Sequence, residues 1–172
     1  MNAKTIALSA IIAALCAILL AVGEFFPTFS LGSAFLAGVA GMVPLAKRSY
    51  WGAVRCVIAA SLITMLVTGF SRFEAVVPFA FFFGVQPIVN RVQAEKNWNR
   101  WLLLVIKDIW FVGFAVGYYF LFNLTLFENN QDLNRFALPI IIIGGAIAYV
   151  VYDYLSFYFQ RYIDILIKRM KL

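Results

Sequence analysis

Six stretches of this chain, at about 4–22, 29–46, 50–69, 75–91, 100–124 and 137–158, are apolar over the length a helix needs to cross a bilayer. That length is about 20 residues, because a hydrocarbon core roughly 30 Å thick is traversed at about 1.5 Å per residue. Inside lipid no water is present to satisfy backbone N–H and C=O groups, so a spanning segment must hydrogen-bond to itself as a helix or close into a barrel. The expected fold class is therefore all-α: a polytopic integral membrane bundle of six transmembrane helices, a single domain over 1–172. Composition agrees, since 64% of the residues are hydrophobic and only 13% charged, against about a quarter charged in a soluble domain. The first segment runs into GEFFP without a small-residue cleavage site, which argues for a retained span over a cleaved signal peptide.

The links between spans are short: GEFFPTF, KRS, FSRFE, RVQAEKNWN and FENNQDLNR. Charge is divided unevenly among them. With the N-terminus inside, one face collects Lys4, Lys47, Arg48, Arg91, Lys96, Arg100, Arg161, Lys168, Arg169 and Lys171, and the other receives Arg72 and Arg135 beside Glu24, Glu74, Glu128 and Asp132. Basic residues accumulate on the cytoplasmic side of membrane proteins, so both termini are expected in the cytoplasm of a multi-pass protein of the plasma membrane. The net charge of +6 accordingly points to anionic lipid rather than nucleic acid, and the tail RYIDILIKRMKL is expected to lie against the bilayer surface.

Several chemistries are excluded by what the chain lacks. It has no histidine, and its two cysteines, Cys16 and Cys56, each fall inside a span, which speaks against a disulfide framework, a zinc site and histidine-based catalysis. There is no GxxxxGK[ST] phosphate loop, so any ATP-driven step must use another subunit. No metal, cofactor or enzymatic activity is expected. A lipid-acting enzyme would need an acid–base cluster near an interface, and a channel would need a polar stripe through the bundle.

Four charged residues lie within spans: Arg55, Lys107, Asp108 and Asp153. Each is placed in the cytoplasmic third, where acids and bases can pair. The cluster reads either as structural ion pairing or as part of a proton or ion path. The outer ends are aromatic with a few polar groups. Glu24, Phe25 and Phe29 frame the first outer loop, Arg72 and Glu74 the second, and Tyr118 and Asn123 approach the third. Aromatic faces with sparse fixed polar groups are what a small-molecule pocket uses; an aromatic belt at the headgroups would look similar. Small residues also recur four apart in later spans, as Ala34 with Gly38, Ala37 with Gly41 and Gly113 with Gly117, the spacing that lets helix backbones come close.

The most specific pattern is in the first span, IALSAIIAALCAILLAV, where alanine falls at Ala3, Ala7, Ala10, Ala14, Ala17 and Ala21. Steps of three and four keep these residues on one helical face, a smooth groove roughly 27 Å long. The groove serves either packing within the bundle or docking of a helix from another protein.

With Ala10 and Ala14, Ala13 and Ala17, and Ala17 and Ala21 as Ala-x-x-x-Ala pairs in a short six-helix chain, the sequence resembles the substrate-binding S component of an energy-coupling factor (ECF) transporter. The segment LAGVAGMVPLAKRSYWGAVRCVIAASLITMLVTG is similar in character to helices 2 and 3 of that family. The resemblance implies an S subunit of an ABC-type importer that captures a vitamin or similar micronutrient at the outer face. It also implies partners: a transmembrane coupling subunit gripping Ala7, Ala10, Ala14, Ala17 and Ala21, and two ATPase subunits. The alternative is a non-transporting cell-envelope scaffold of the MreD type, using the same small-residue faces for permanent partners. The topology is testable directly: a cysteine replacing Asn130 in a background without the native thiols should react with an impermeant maleimide only from outside. Labelling only from inside would overturn it.

Overall fold

The structure, a computed structural model, describes residues 3–70, 73–121 and 136–169. The described residues form helices and turns and contain no strand. In order they are α1 (Ala3–Phe25), a 3-10 turn (Pro27–Phe29), α2 (Ser30–Ala40), α3 (Met42–Ala46), α4 (Tyr50–Val67), α5 (Val76–Pro78), a π-helical turn (Phe79–Phe83), α6 (Gln86–Lys96), α7 (Arg100–Leu121) and α8 (Ala137–Arg169). Four of these are long and apolar enough to cross a membrane: Ile6–Phe25 within α1, and α4, α7 and α8.

The other two expected spans are interrupted, and proline accounts for both interruptions. Pro44 has no N–H to offer the carbonyl four residues earlier, at Ala40, and the helix divides there into α2 and α3 around Gly41. Together Ser30–Ala46 make a shorter apolar helical stretch. In the next segment Pro78 and Pro87 bracket the π-helical turn, where the Gly84 N–H reaches the Phe79 carbonyl at 2.8 Å. Pro87 likewise withholds a donor from the carbonyl of Phe83. That carbonyl is set against α2 at Gly38, 2.5 Å from where a Cβ would stand. Only glycine permits so close an approach.

The chain divides into two compact units, one comprising Met1–Lys96 with Ser156–Leu172 and the other Asn97–Leu155. The core of the first is built by α1, α2 and α4 from small side chains. Ile12, Ala13, Cys16, Ala17 and Leu20 of α1 meet Ala34 and Ala37 of α2 and Cys56, Val57 and Ala60 of α4, closed by Ala75 and Phe79. The contacts of α1 with α4 rise together along both helices. The position of a Gly52 Cβ would lie 2.7 Å from Ser9 Oγ, Cys56 meets Cys16, and Thr64 Oγ1, donating to the Ala60 carbonyl of its own helix at 2.8 Å, also lies 3.3 Å from the Ala17 carbonyl. The two helices therefore run in the same direction, as alternate spans of a serpentine chain must.

The last helix departs from expectation. Its end was placed at about 158 with a separate surface tail, but α8 continues without a break to Arg169. No proline or glycine interrupts 146–169, and at about 1.5 Å per residue the helix is roughly 50 Å long. Its final turns are held by side chains four apart. Asn90 Nδ2 donates to Ser156 Oγ at 3.2 Å, Gln160 Nε2 to the Pro87 carbonyl at 3.4 Å, and Arg91 pairs with Asp164 at 2.6 Å. These contacts tie α8 to α6 over residues 156–164.

In the second unit, among the described residues, nothing lies within 4 Å of a Cβ placed at Gly113 or Gly117, in contrast to Ala34 and Gly38, both buried. These surroundings set opposite outcomes for added bulk. Gly38→Ala should cost about 1–3 kcal/mol, the range for overpacking, and Gly113→Ala should not lower stability. Thermal unfolding of both variants in one detergent checks the contrast, and equal midpoints would refute it.

Candidate functional site

The face of α1 that packs inward is Ser9, Ile12, Ala13, Cys16, Leu20, Gly23 and Glu24. The alanine series lies on its flank, about 100° round the helix by residue spacing, and is divided by that position. Ala7, Ala10 and Ala14 are exposed, Ala17 is buried at 5% exposure and Ala21 is half-buried. The Ala-x-x-x-Ala pairs consequently separate: Ala13 with Ala17 packs in the core, and Ala10 with Ala14 faces out. The packing reading applies to Ala13 and Ala17, and Ala7, Ala10 and Ala14 are left on the outer face.

At the other end of α1, Glu24 does not present its carboxylate to the surroundings. It is fully buried, and its oxygens accept three backbone N–H groups from the turn that opens α5. The distances are 3.2 Å from Glu74, 2.9 Å from Ala75 and 2.9 Å from Val76. A carboxylate so placed satisfies donors that the first helical turn leaves without intrahelical partners. It fastens the end of α1 to the 74–76 turn. Glu24 is expected to line an outer pocket; here its carboxylate accepts three backbone N–H groups and positions the 74–76 turn.

The other expected outer residues fall differently. Phe25 and Phe29 are exposed, at 56% and 66%, and the Glu74 side chain is also exposed. Tyr118, in the second unit, is half-buried with its ring 6.0 Å from Phe114. Arg72 and Asn123 lie outside the described residues.

In the second unit, Lys107 Nζ donates to Asp153 Oδ1 at 2.5 Å, with side-chain exposures of 7% and 1%. The Tyr149 hydroxyl donates to the same oxygen at 3.4 Å, and its ring lies 5.5 Å from Phe111. Lys107 is the buried residue of α7, so this pair anchors that helix. Asp108, one residue on, is half-buried and keeps one carboxylate oxygen, Oδ1, buried without a hydrogen-bond partner among the described residues. Arg55 projects from an exposed position of α4. Of the four intramembrane charges, the structure brings Lys107 and Asp153 together.

Sequence reasoning overlooked the buried polar set of α6 and the end of α8: Gln86, Asn90, Gln93, Ser156 and Gln160. The signal was present as Ser156, Gln160 and Asp164 at four-residue steps, the spacing of one helical face. Among the described residues no group of three or more histidine, cysteine or acidic side chains is gathered as a metal site would require. No protein-family model, curated protein or solved structure matches this chain.

The ion pair generates a sharp expectation. Lys107→Met or Asp153→Leu alone leaves one charge buried without its counter-ion and should cost about 3–5 kcal/mol, whereas the double substitution should cost far less. A double-mutant cycle on unfolding in detergent measures the coupling. Additive losses would show that the pair contributes none.

Proposed function

We propose that this chain is the substrate-capturing S subunit of an ECF-type importer in the plasma membrane. In this reading the chain makes six spans with both termini cytoplasmic. The four long helices supply four of them. Ser30–Ala46 and the proline-interrupted run from Val76 to Lys96 supply the other two. The basic residues of the 47–48, 91–100 and 161–169 segments support the orientation.

The observation that carries the proposal is the outward stretch of α1. Ala7, Ala10 and Ala14 are exposed on a helix that is otherwise covered outwardly by Ile11, Leu15, Ile18 and Val22. Alanine loses almost no side-chain entropy on docking and lets a partner backbone approach to van der Waals distance. A helix of the coupling subunit laid there would bind through close contact without interlocking side chains, as a surface that must release requires. The chain has no phosphate-binding loop, in keeping with ATP hydrolysis by two separate subunits.

The cargo site belongs at the outer ends. In this reading ligand contact falls to Phe25, Phe29 and Glu74 of the first unit, next to the buried Glu24. Glu24 serves by holding the 74–76 turn in place. The cargo is a small micronutrient whose burial against aromatic rings provides most of the affinity.

Comparing tryptophan at two alanines one turn apart tests the reading. Ala14→Trp should leave the thermal midpoint of the isolated protein unchanged while abolishing co-purification with the coupling subunit and uptake. Ala17→Trp should lower the midpoint, because Ala17 lies in the core. If Ala14→Trp destabilises the isolated chain as much as Ala17→Trp, or keeps its partner, the docking face is elsewhere. A complex that forms without any ATPase subunit would favour a permanent scaffold.

A further inference from the structure

Two thiols that the sequence assigns to different spans meet in the core of the first unit. Cys16 Sγ of α1 and Cys56 Sγ of α4 lie 4.0 Å apart, at 0% and 1% exposure. Their hydrogens have a consistent arrangement. The Cys16 S–H donates to the Ala37 carbonyl of α2 at 3.2 Å, which leaves the Cys56 S–H to donate to the Cys16 sulfur.

The surroundings bring the two backbones close as well. Ala13 and Ala17 on α1 and Ala53 and Ala60 on α4 are buried. Below the pair a Cβ at Gly52 would strike Ser9 Oγ, and above it Thr64 reaches the Ala17 carbonyl. A disulfide needs Cβ atoms about 3.5–4.5 Å apart and sulfurs at about 2.05 Å. From the observed contact, closure requires the two sulfurs to approach by about 2 Å.

We propose that Cys16 and Cys56 form a dithiol modification site, converted to an α1–α4 disulfide by a lipid-soluble two-electron oxidant of the quinone class. Two S–H bonds break and one S–S bond forms. The two protons and two electrons pass to the quinone oxygens, giving the hydroquinone. The oxidant's class follows from the site. Both sulfurs are enclosed in an apolar helix core, so oxidation proceeds on opening of the α1–α4 contact, and there an oxidant that partitions into hydrocarbon is favoured over a charged one confined to water. The product ties α1 to α4 across a loop of about 40 residues, which restricts the unfolded chain. In the folded state it fixes the helix that carries Ala7, Ala10 and Ala14 against its neighbour.

The test uses the whole protein in lipid vesicles, treated without oxygen with a fully ring-substituted benzoquinone, then denatured and titrated with maleimide. Wild type should lose both thiols together, its intact mass should fall by two hydrogens, and dithiothreitol should restore both. Cys16→Ala and Cys56→Ala should each keep their remaining thiol under the same treatment. The oxidised protein should also melt at a higher temperature than the reduced one. If both thiols persist in the vesicles while the same quinone oxidises the protein after denaturation, the proposal fails, and the cysteines are small core residues. A mass gain from quinone addition, in place of the two-hydrogen loss, would overturn it equally.

Discussion

Helix backbones in this chain lie close together because the side chains between them are nearly absent, and the first unit depends on that closeness. Lipid removes the hydrophobic drive for one apolar helix to bind another, so cohesion must come from van der Waals contact and a few hydrogen bonds. Alanine, glycine, serine and cysteine at the α1–α2–α4 contacts allow the first. Cys16, donating to the Ala37 carbonyl of α2, supplies the second, with the Thr64 hydroxyl shared between the Ala60 carbonyl of its own helix at 2.8 Å and that of Ala17 at 3.3 Å. A bulkier residue at any of these contacts would separate the helices along several turns, because each contact shares its spacing with the next.

Polar side chains within the helical body are mostly engaged, and the reason is energetic. A hydrogen-bonding group left unmade in an apolar setting costs several kcal/mol by order of magnitude. Glu24 saturates the 74–76 turn, Asp153 receives Lys107 and Tyr149, and Asn90 is matched by Ser156. Apart from Tyr149 with Asp153, four residues apart in α8, each pairing fixes one element to another that is distant in sequence. Much of the specificity of the arrangement comes from these few groups, the apolar residues being interchangeable by comparison.

What could be read from sequence follows the same division. The segments at 4–22 and 50–69 match α1 and α4 closely because their apolar runs are uninterrupted. The segments at 29–46 and 75–91 lost definition at Pro44, Pro78 and Pro87, where missing donors divide a run that hydropathy sees as continuous. The end of α8 was placed too early because hydropathy falls after 158, while the helical period of Ser156, Gln160 and Asp164 persists. Rotation about a helix axis was the least legible quantity. Spacing put the alanines on one face, but which of them point inward depends on neighbours contributed by α2 and α4. The burial of Glu24 was not legible for a similar reason: GEFFP looks like an outer loop, yet α1 extends to Phe25 and the Glu24 side chain is buried. Cys16 and Cys56 appeared unrelated because nothing in a linear pattern aligns two spans 40 residues apart.

The setting of the Phe83 carbonyl against Gly38 links Gly38 with Pro87, 49 residues apart in the chain. Pro87 withholds the donor that would draw that carbonyl into its own helix, and Gly38 leaves the room it occupies instead. Across divergent copies of this chain the two positions would therefore behave as one inherited character. A lineage that replaced the proline with a donor-bearing residue would repair the helix and release the glycine to drift. A lineage that replaced the glycine first would have to bend α2 away. Substitution at one position is then gated by the other, with the proline the cheaper to lose first.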